Sequence, residues 1–255
     1  MILTLDTAFV GHIHQHHPQV VSTNTHTQEL VASKSVAEGT VVTAGYQTAG
    51  RGQIGRSWYS SPNQNILASL VLRPSFLAVT DQFQLSIAIS LAIYTTVLNY
   101  LPEREVSIKW PNDIYVDNKK IAGILIQNTL KGSTISHSII GIGLNVNEVD
   151  WPAELPNPTS IAQELGQTRP TGELLAALLA EVERYYLNLQ QGHSSYQREA
   201  YTQHLYRRGV DARYMEQDGT VLTGQIRGID DNGRLVVDAG GTAKHYQFRE
   251  IKYLP

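Results

Sequence analysis

The residues best equipped for chemistry gather in one loop, Gly50-Arg51-Gly52-Gln53-Ile54-Gly55-Arg56-Ser57-Trp58. Glycine reaches positive φ and carries no side chain, so such a backbone turns tightly and brings its N–H groups up to an anion. Arg51 and Arg56 add guanidinium forks that match carboxylate or phosphate oxygens, and Trp58 adds a flat apolar face for a ring. The loop reads as a wrap around a small, partly anionic ligand. A flexible surface loop is the alternative, because short glycine motifs recur by chance. A Gly/Arg tail for nucleic acid would need repetition, and this run occurs once.

Further along, Lys109-Trp110-Pro111-Asn112-Asp113 sets a cation, an amide and a carboxylate at one break in an apolar run. Pro111 cannot donate to a sheet ladder and pushes Trp110 off helical angles, so a strand stops there and restarts at Ile114. Side chains at such a break can point at a ligand, or Asn112 and Asp113 can simply build a turn. Lys120 stands at the mouth of the next strand and Gly123 inside it, where glycine marks a bulge or a close approach. Gly141-Ile142-Gly143-Leu144-Asn145 ends another strand, and an asparagine amide can read the donor–acceptor edge of a purine. Ser22-Thr23-Asn24 precede a helical stretch and read first as caps. His12, His14, His16 and His17 form a histidine tract that lacks a neighbouring carboxylate cluster, which favours solvated rings over metal ligands.

The elements that must position these residues follow from periodicity. A helix running to Gly39 is followed by a buried strand over Val41-Val42-Thr43-Ala44, which delivers Gln47 and the glycine loop. Ile66 to Leu72 is a strand, Asp81 to Tyr100 a long helix, and Ile135 to Ile142 a further strand. The Pro152–Pro158 run is a connector, Thr159-Ser160 a cap, and Thr171 to Gln190 and Ser195 to Tyr206 are helical. From Gly209 onward, short β segments separated by Asp218-Gly219, Asp231-Asn232-Gly233 and Gly240-Gly241 give the signature of a small antiparallel barrel. The expected division is a main domain over residues 1–208 and a small one over 209–255.

The composition excludes several classes. With 255 residues, 42% hydrophobic and 17% charged, the chain is globular and long enough for a large core. A net charge of −3 supplies no general attraction for nucleic acid or membrane surface. The absence of cysteine removes disulfides, thiolate metal sites and a cysteine nucleophile. No apolar run is expected to reach the length that spans a bilayer, and no basic leader precedes Lys34, so a cytoplasmic location is expected.

In order and spacing, Ser22-Thr23-Asn24, Gln47 with the Gly50–Trp58 loop, Lys109 to Asp113, Lys120 to Leu125, Gly141 to Asn145 and Thr159-Ser160 together resemble biotin protein ligases. The resemblance runs from about Val20 to the C-terminus, although the small C-terminal part matches by pattern only. It implies an α+β fold: a mixed sheet with flanking helices, related to class II aminoacyl-tRNA synthetase catalytic domains, followed by an SH3-like barrel. The implied reaction joins biotin to MgATP as biotinyl-5′-AMP and then transfers biotin to a lysine of a biotin carboxyl carrier protein.

By the same resemblance, Ser22, Thr23, Asn24 and Gln47 would line the biotin pocket. Gly50, Arg51, Gly52 and Gln53 would close over biotin and the acyl phosphate, with Gly123 and Gly141 leaving room for the ligand. Lys120 would be the main electrostatic catalyst, aided by Arg51. Arg56, Trp58, Lys109, Asn112, Asp113 and Asn145 would serve ATP, with Mg²⁺ entering on the nucleotide near Asp113. Gln53 stands where the form of this loop most readily expected has another arginine. Residues 1–21 are too few for the winged-helix DNA-binding domain of some members, so no repressor role is expected, and the protein would act as monomer or homodimer. A lipoate or octanoate ligase of the same superfamily, a non-enzymatic sensor of the adenylate and an SH3-type adapter are the rival readings.

Overall fold

The computed structural model describes residues 4–53 and 55–255. Ile54 of the glycine loop and the first residues of the N-terminal stretch lie outside the described residues. Seven strands form the main sheet: β1 (His14–Val20), β2 (Val41–Gln47), β3 (Ile66–Leu72), β4 (Val106–Lys109), β5 (Asp113–Val116), β6 (Lys119–Lys131) and β7 (Thr134–Leu144). Their order is β1-β2-β3-β7-β6-β5-β4, with β1 parallel to β2 and the other pairs antiparallel. The sheet is therefore mixed, and its centre is β3 and β7.

β3 is buried along its whole length, which explains why Ile66-Leu67-Ala68-Ser69-Leu70-Val71-Leu72 reads as a nearly continuous apolar run without alternation. Ile66, Ala68, Leu70 and Leu72 join the main core with the long helix α2 (Phe83–Tyr100) and with α4 (Thr171–Gln190). Ser69, one residue out of phase, meets α1 (Thr23–Ser33) instead. Because side chains alternate across a strand, α1 and the α2/α4 pair cover opposite faces of the sheet.

Several expectations change. His14–Val20, which shows no apolar alternation, is an edge strand. The helix after Ser22 stops at Ser33, well before Gly39. The segment Val79–Tyr100 is long and apolar enough to cross a membrane by length and composition, contrary to the expectation of no such run. It is largely buried in the core, packed on α4, α5 (Ser194–Gln203) and strands β4 to β6. Ser160 does cap α3 (Ile161–Leu165), accepting from the Gln163 N–H at 3.1 Å.

The C-terminal strands β8 (Asp211–Glu216), β9 (Val221–Ile229), β10 (Leu235–Ala239), β11 (Thr242–Tyr246) and β12 (Ile251–Tyr253) form a second, antiparallel sheet in the order β11-β10-β9-β8-β12. Its Asp-rich turns are tied by their own carboxylates, as where Asp218 Oδ1 accepts from the Thr220 N–H at 2.9 Å. It is joined to the main sheet at the break after β4. There the buried Trp110 donates its indole N–H to the Gly233 carbonyl at 2.9 Å.

The N-terminal segment is held by one carboxylate. Glu183 on α4 is 7% exposed and accepts the backbone N–H groups of Ala8, Phe9 and Val10 at 2.5, 2.8 and 2.9 Å. A glutamine there keeps one acceptor and turns a donor toward an amide. Glu183→Gln is expected to lower the unfolding free energy by about 1.5–3 kcal/mol, read from urea denaturation, since bonds to a charged acceptor are the stronger ones.

Candidate active site

The floor of the site is laid by the central strands. Gly141 on β7 sits between Ser69 of β3 and Leu125 of β6, and Gly143 sits between Leu67 and Gly123. A methyl group at Gly141 would come within 2.2 Å of Asn24 Oδ1, and one at Gly143 within 2.3 Å of the Trp58 indole. The glycines thus flatten the sheet so that Asn24 and Trp58 can lie directly on it. Asn24 lies against Gly141 and Trp58 against Gly123 and Gly143, while Gly123 and Gly141 both line the cleft.

At one end of this floor the start of α1 meets the sheet. Ser22 occupies the N-cap position, but its side chain makes no capping hydrogen bond, so the cap reading of Ser22-Thr23-Asn24 does not account for these residues. Thr23 and Asn24 belong to a buried polar network, and Ser22 is buried next to them in sequence. Gln47 Oε1 accepts from the Thr23 N–H at 2.8 Å and from its hydroxyl at 3.1 Å. The Ser69 hydroxyl lies 2.8 Å from Thr23 Oγ1 and 2.5 Å from Asn24 Oδ1. Asn24 Nδ2 donates to the Leu125 carbonyl at 3.3 Å and to Gln127 Oε1 at 3.2 Å. The network extends beyond the predicted residues to Ser69 and Gln127. A single serine in an otherwise apolar strand was the signal available for Ser69.

The glycine loop folds back as a small hairpin. Gly50 accepts from Trp58 N–H at 2.9 Å, Gly52 N–H donates to Arg56 at 2.9 Å, and Arg51 bridges to Ser57. Gly50 packs under the Trp58 carbonyl and does not line the cleft. Arg51 is exposed and donates to the Thr25 hydroxyl at 3.3 Å, and Arg56 is also exposed. The Trp58 indole N–H is buried and has no hydrogen-bond partner among the described residues. Its ring centre lies 5.5 Å from Lys120 Nζ.

Lys120 is held by its backbone, and the Pro-rich connector does the holding. Lys120 N–H donates to the Asn157 carbonyl at 2.8 Å, and Thr159 N–H donates to the Lys120 carbonyl at 2.9 Å. Its ammonium lies 2.7 Å from Asp113 Oδ1, an ion pair without the alignment of a hydrogen bond. Asn112 locks the break to β6, donating through Nδ2 to the Ile124 carbonyl at 2.8 Å while its own carbonyl accepts the Ile124 N–H at 2.9 Å. Asn145 lines the cleft and donates to the Thr159 carbonyl at 2.9 Å, and its buried Oδ1 has no hydrogen-bond partner among the described residues.

Lys109 is less open than its sequence position suggests. It donates to the Tyr115 hydroxyl at 2.9 Å, and burial lowers its pKa against the opposing pull of Asp113 and Tyr206. The same burial, with Asp113 beside it, raises the Tyr115 phenol.

Apart from Gly50, every predicted site residue lines one cleft of about 1220 Å³, which brings Lys120, Arg51 and Arg56 together with the Ser22–Gln47 set. The cleft also takes in Tyr206, Arg207 and Tyr253 from the C-terminal part, residues that pattern alone did not single out. The histidine tract lies apart from it. His14 Nε2 and His16 Nδ1 sit 2.7 and 3.1 Å from the Thr43 hydroxyl, and burial followed by the charge of His16 lowers the His14 pKa.

Comparison with known proteins places this geometry. Residues 17–145 match the family described as Biotin/lipoate A/B protein ligase family, and residues 208–248 match the Biotin protein ligase C terminal domain. A biotin--[acetyl-CoA-carboxylase] ligase of Mycobacterium tuberculosis is 33% identical over 227 residues, which cover 88% of this chain and 82% of its own length. The Bifunctional ligase/repressor BirA of Bacillus subtilis is 32% identical over 240 residues, covering 91% and 72%. Among solved structures, the biotin protein ligase from Aquifex aeolicus in complex with biotin and ATP superimposes with a TM-score of 0.79 at 24% identity, covering 95% of this chain and 100% of that one. At that identity the likeness speaks for the fold.

One buried carboxylate supports the connector behind Lys120. The Glu164 side chain is 2% exposed, pairs with Arg104 at 2.6 Å and Lys119 at 3.3 Å, and accepts from the Thr159 hydroxyl at 2.6 Å. Burial alone would raise its pKa, but the Thr159 and Lys119 hydrogen bonds and the two cations outweigh it and hold the group below 4.5. Its stabilising contribution is therefore complete above pH 4.5 and is lost as the pH falls through the lower folded value. Glu164→Gln is expected to cost about 1–3 kcal/mol at pH 7 and to flatten the acid limb of stability, measured by urea titrations from pH 7 downward.

Proposed function

The chain belongs to the biotin/lipoate A/B protein ligase family, and we propose that its cleft joins biotin to ATP and hands the biotinyl group to a biotin carboxyl carrier protein. The activity is that of an ATP-dependent biotin–protein ligase. The observation that carries the residue assignments is the single cleft shared by Lys120, Arg51, Arg56, the buried Ser22 and the polar network of Thr23, Asn24 and Gln47. Its volume of about 1220 Å³ exceeds that of an ordinary one-ligand pocket, as two substrates require.

In the first step a carboxylate oxygen of biotin attacks the α-phosphorus of ATP, the bond to the leaving pyrophosphate breaks, and a mixed anhydride forms. Both reactants are anions, so their approach needs positive charge already in place. Lys120 would supply it between carboxylate and α-phosphate, with Arg51 over the acyl phosphate and Arg56 toward the outer phosphates. Thr23, Asn24 and Gln47, oriented by one another, would recognise the ureido ring by hydrogen bonds. A buried network already satisfied internally presents its remaining lone pairs in fixed directions. The buried Oδ1 of Asn145, without a partner among the described residues, would accept from an N–H donor such as the exocyclic amine of adenine.

Asp113 would be the carboxylate to meet Mg²⁺ carried in by the phosphates. One carboxylate plus substrate phosphates is a donor set this ion accepts, and no cluster of three ligating side chains exists among the described residues. In the second step the carrier lysine attacks the acyl carbon and AMP leaves. The division into residues 1–208 and 209–255 and a cytoplasmic location, where ATP and carrier meet, belong to the same proposal.

The lipoate reading differs in the ring to be recognised, since a dithiolane offers nothing to the polar network. Incubation with MgATP, a carrier domain and either vitamin should add one biotinyl group to the carrier, seen by intact mass. Little or no addition is expected with lipoate. Modification by lipoate alone would overturn the assignment of the network.

A further inference from the structure

Lys109 and Trp110 are neighbours in sequence, and two separate points of the C-terminal sheet grip them. Trp110 is held by the Gly233 carbonyl in the turn between β9 and β10. The Lys109 ammonium lies 4.9 Å from the ring centre of Tyr253 on β12. Two further rings complete the enclosure: Tyr115 of β5 at 4.7 Å, and Tyr206, between α5 and β8, at 5.9 Å. The rings brace one another, with Tyr115 and Tyr206 centred 5.1 Å apart and Tyr206 and Tyr253 6.1 Å apart.

Polar bonds fasten the same group. The Tyr206 hydroxyl donates to Asn118 Oδ1 at 2.8 Å, and Arg207 Nη1 donates to the Leu254 carbonyl at 2.7 Å, directly after Tyr253. The enclosure faces the cleft, and Lys109 is the register partner of Asp113, which pairs with Lys120.

The Lys109 ammonium is anchored on one side by the Tyr115 hydroxyl, to which it donates at 2.9 Å, and Tyr206 and Tyr253 limit the rotamers its four-carbon stem still allows. Tyrosine faces attract it through the ring quadrupole without neutralising it, so its charge remains available at a fixed place. A cation lowers a barrier to the extent that it is in position before charge develops. We propose that the C-terminal sheet is a positioning element of the adenylation step: Tyr253, with Tyr206, fixes the Lys109 ammonium at the rim of the cleft to meet the departing pyrophosphate. The proposal rests on the ligase reading above. Tyr253 acts only through Lys109 and touches no reacting atom.

The test is a double-mutant cycle read by biotin-dependent pyrophosphate release. Tyr253→Leu should raise KM for MgATP about five- to tenfold and leave KM for biotin within about twofold, the size of one well-placed cation–ring contact. Tyr253→Phe, which keeps the ring and drops a hydroxyl that has no partner among the described residues, should recover most of that loss. In a Lys109→Met background, adding Tyr253→Leu should change KM for MgATP by less than about twofold, because its target is gone. An undiminished effect in that background, or equal losses for biotin and ATP, would overturn the proposal.

If Tyr253→Leu fails to fold, Tyr206→Leu, from outside the sheet, is taken through the same cycle with the same criteria. Wild-type protein that releases no pyrophosphate with biotin would remove the ligase reading, and this proposal with it. Release by wild type with additive mutants would remove this proposal alone.

Discussion

In the proposed reaction two negatively charged groups must touch, and the fold offers fixed positive charge against that repulsion. In the proposed reaction Lys120 would carry the charge nearest the point of contact, and its backbone is clamped on both sides. Hydrogen bonds to Asn157 and from Thr159 clamp the residue between strand and connector, and Asp113 holds the ammonium from the front. Glu164 in turn ties the connector to Arg104 and Lys119, so the cation rests on a second, buried layer of charge. Preorganisation of this kind is what distinguishes a catalytic cation from a surface lysine.

The other half of the site is neutral and works by different physics. Its polar groups satisfy one another around Ser69, which keeps them oriented inside an otherwise apolar sheet. Glycines at 141 and 143 permit this by letting Asn24 and Trp58 lie against the strands. The C-terminal sheet enters through Lys109 and Trp110, so the small sheet and the cleft meet at one dipeptide. An appendage this small buries little core of its own, and its attachment at Trp110 serves its stability as well as the site.

Local features were the legible ones. Pro111 announces the strand break, and the glycine loop announces itself by composition. The turns of the C-terminal sheet are spelled by Asp, Asn and Gly, because each sits where the backbone needs a special angle or a short hydrogen bond. What pairs across long separations in sequence was not legible. Nothing in Tyr206 or Tyr253 marks them as neighbours of Lys109, and Trp110, read as part of a ligand turn, spends its N–H on Gly233. The strand at His14 escaped because an edge position pairs on one side only and tolerates histidine, glutamine and proline without apolar alternation. The helix over Val79–Tyr100 illustrates the converse: burial from several sides gives it a composition that a membrane would also accept.

The most direct measurement is exchange of labelled pyrophosphate into ATP, with and without biotin, for wild type and Lys120→Met, alongside calorimetric binding of biotin to both. The account predicts biotin-dependent exchange in wild type, a fall of about a hundredfold or more in the variant, and biotin affinity changed by only a few-fold. Exchange that survives the loss of Lys120, with biotin still bound, would contradict the claim that this fixed cation brings the two anions together.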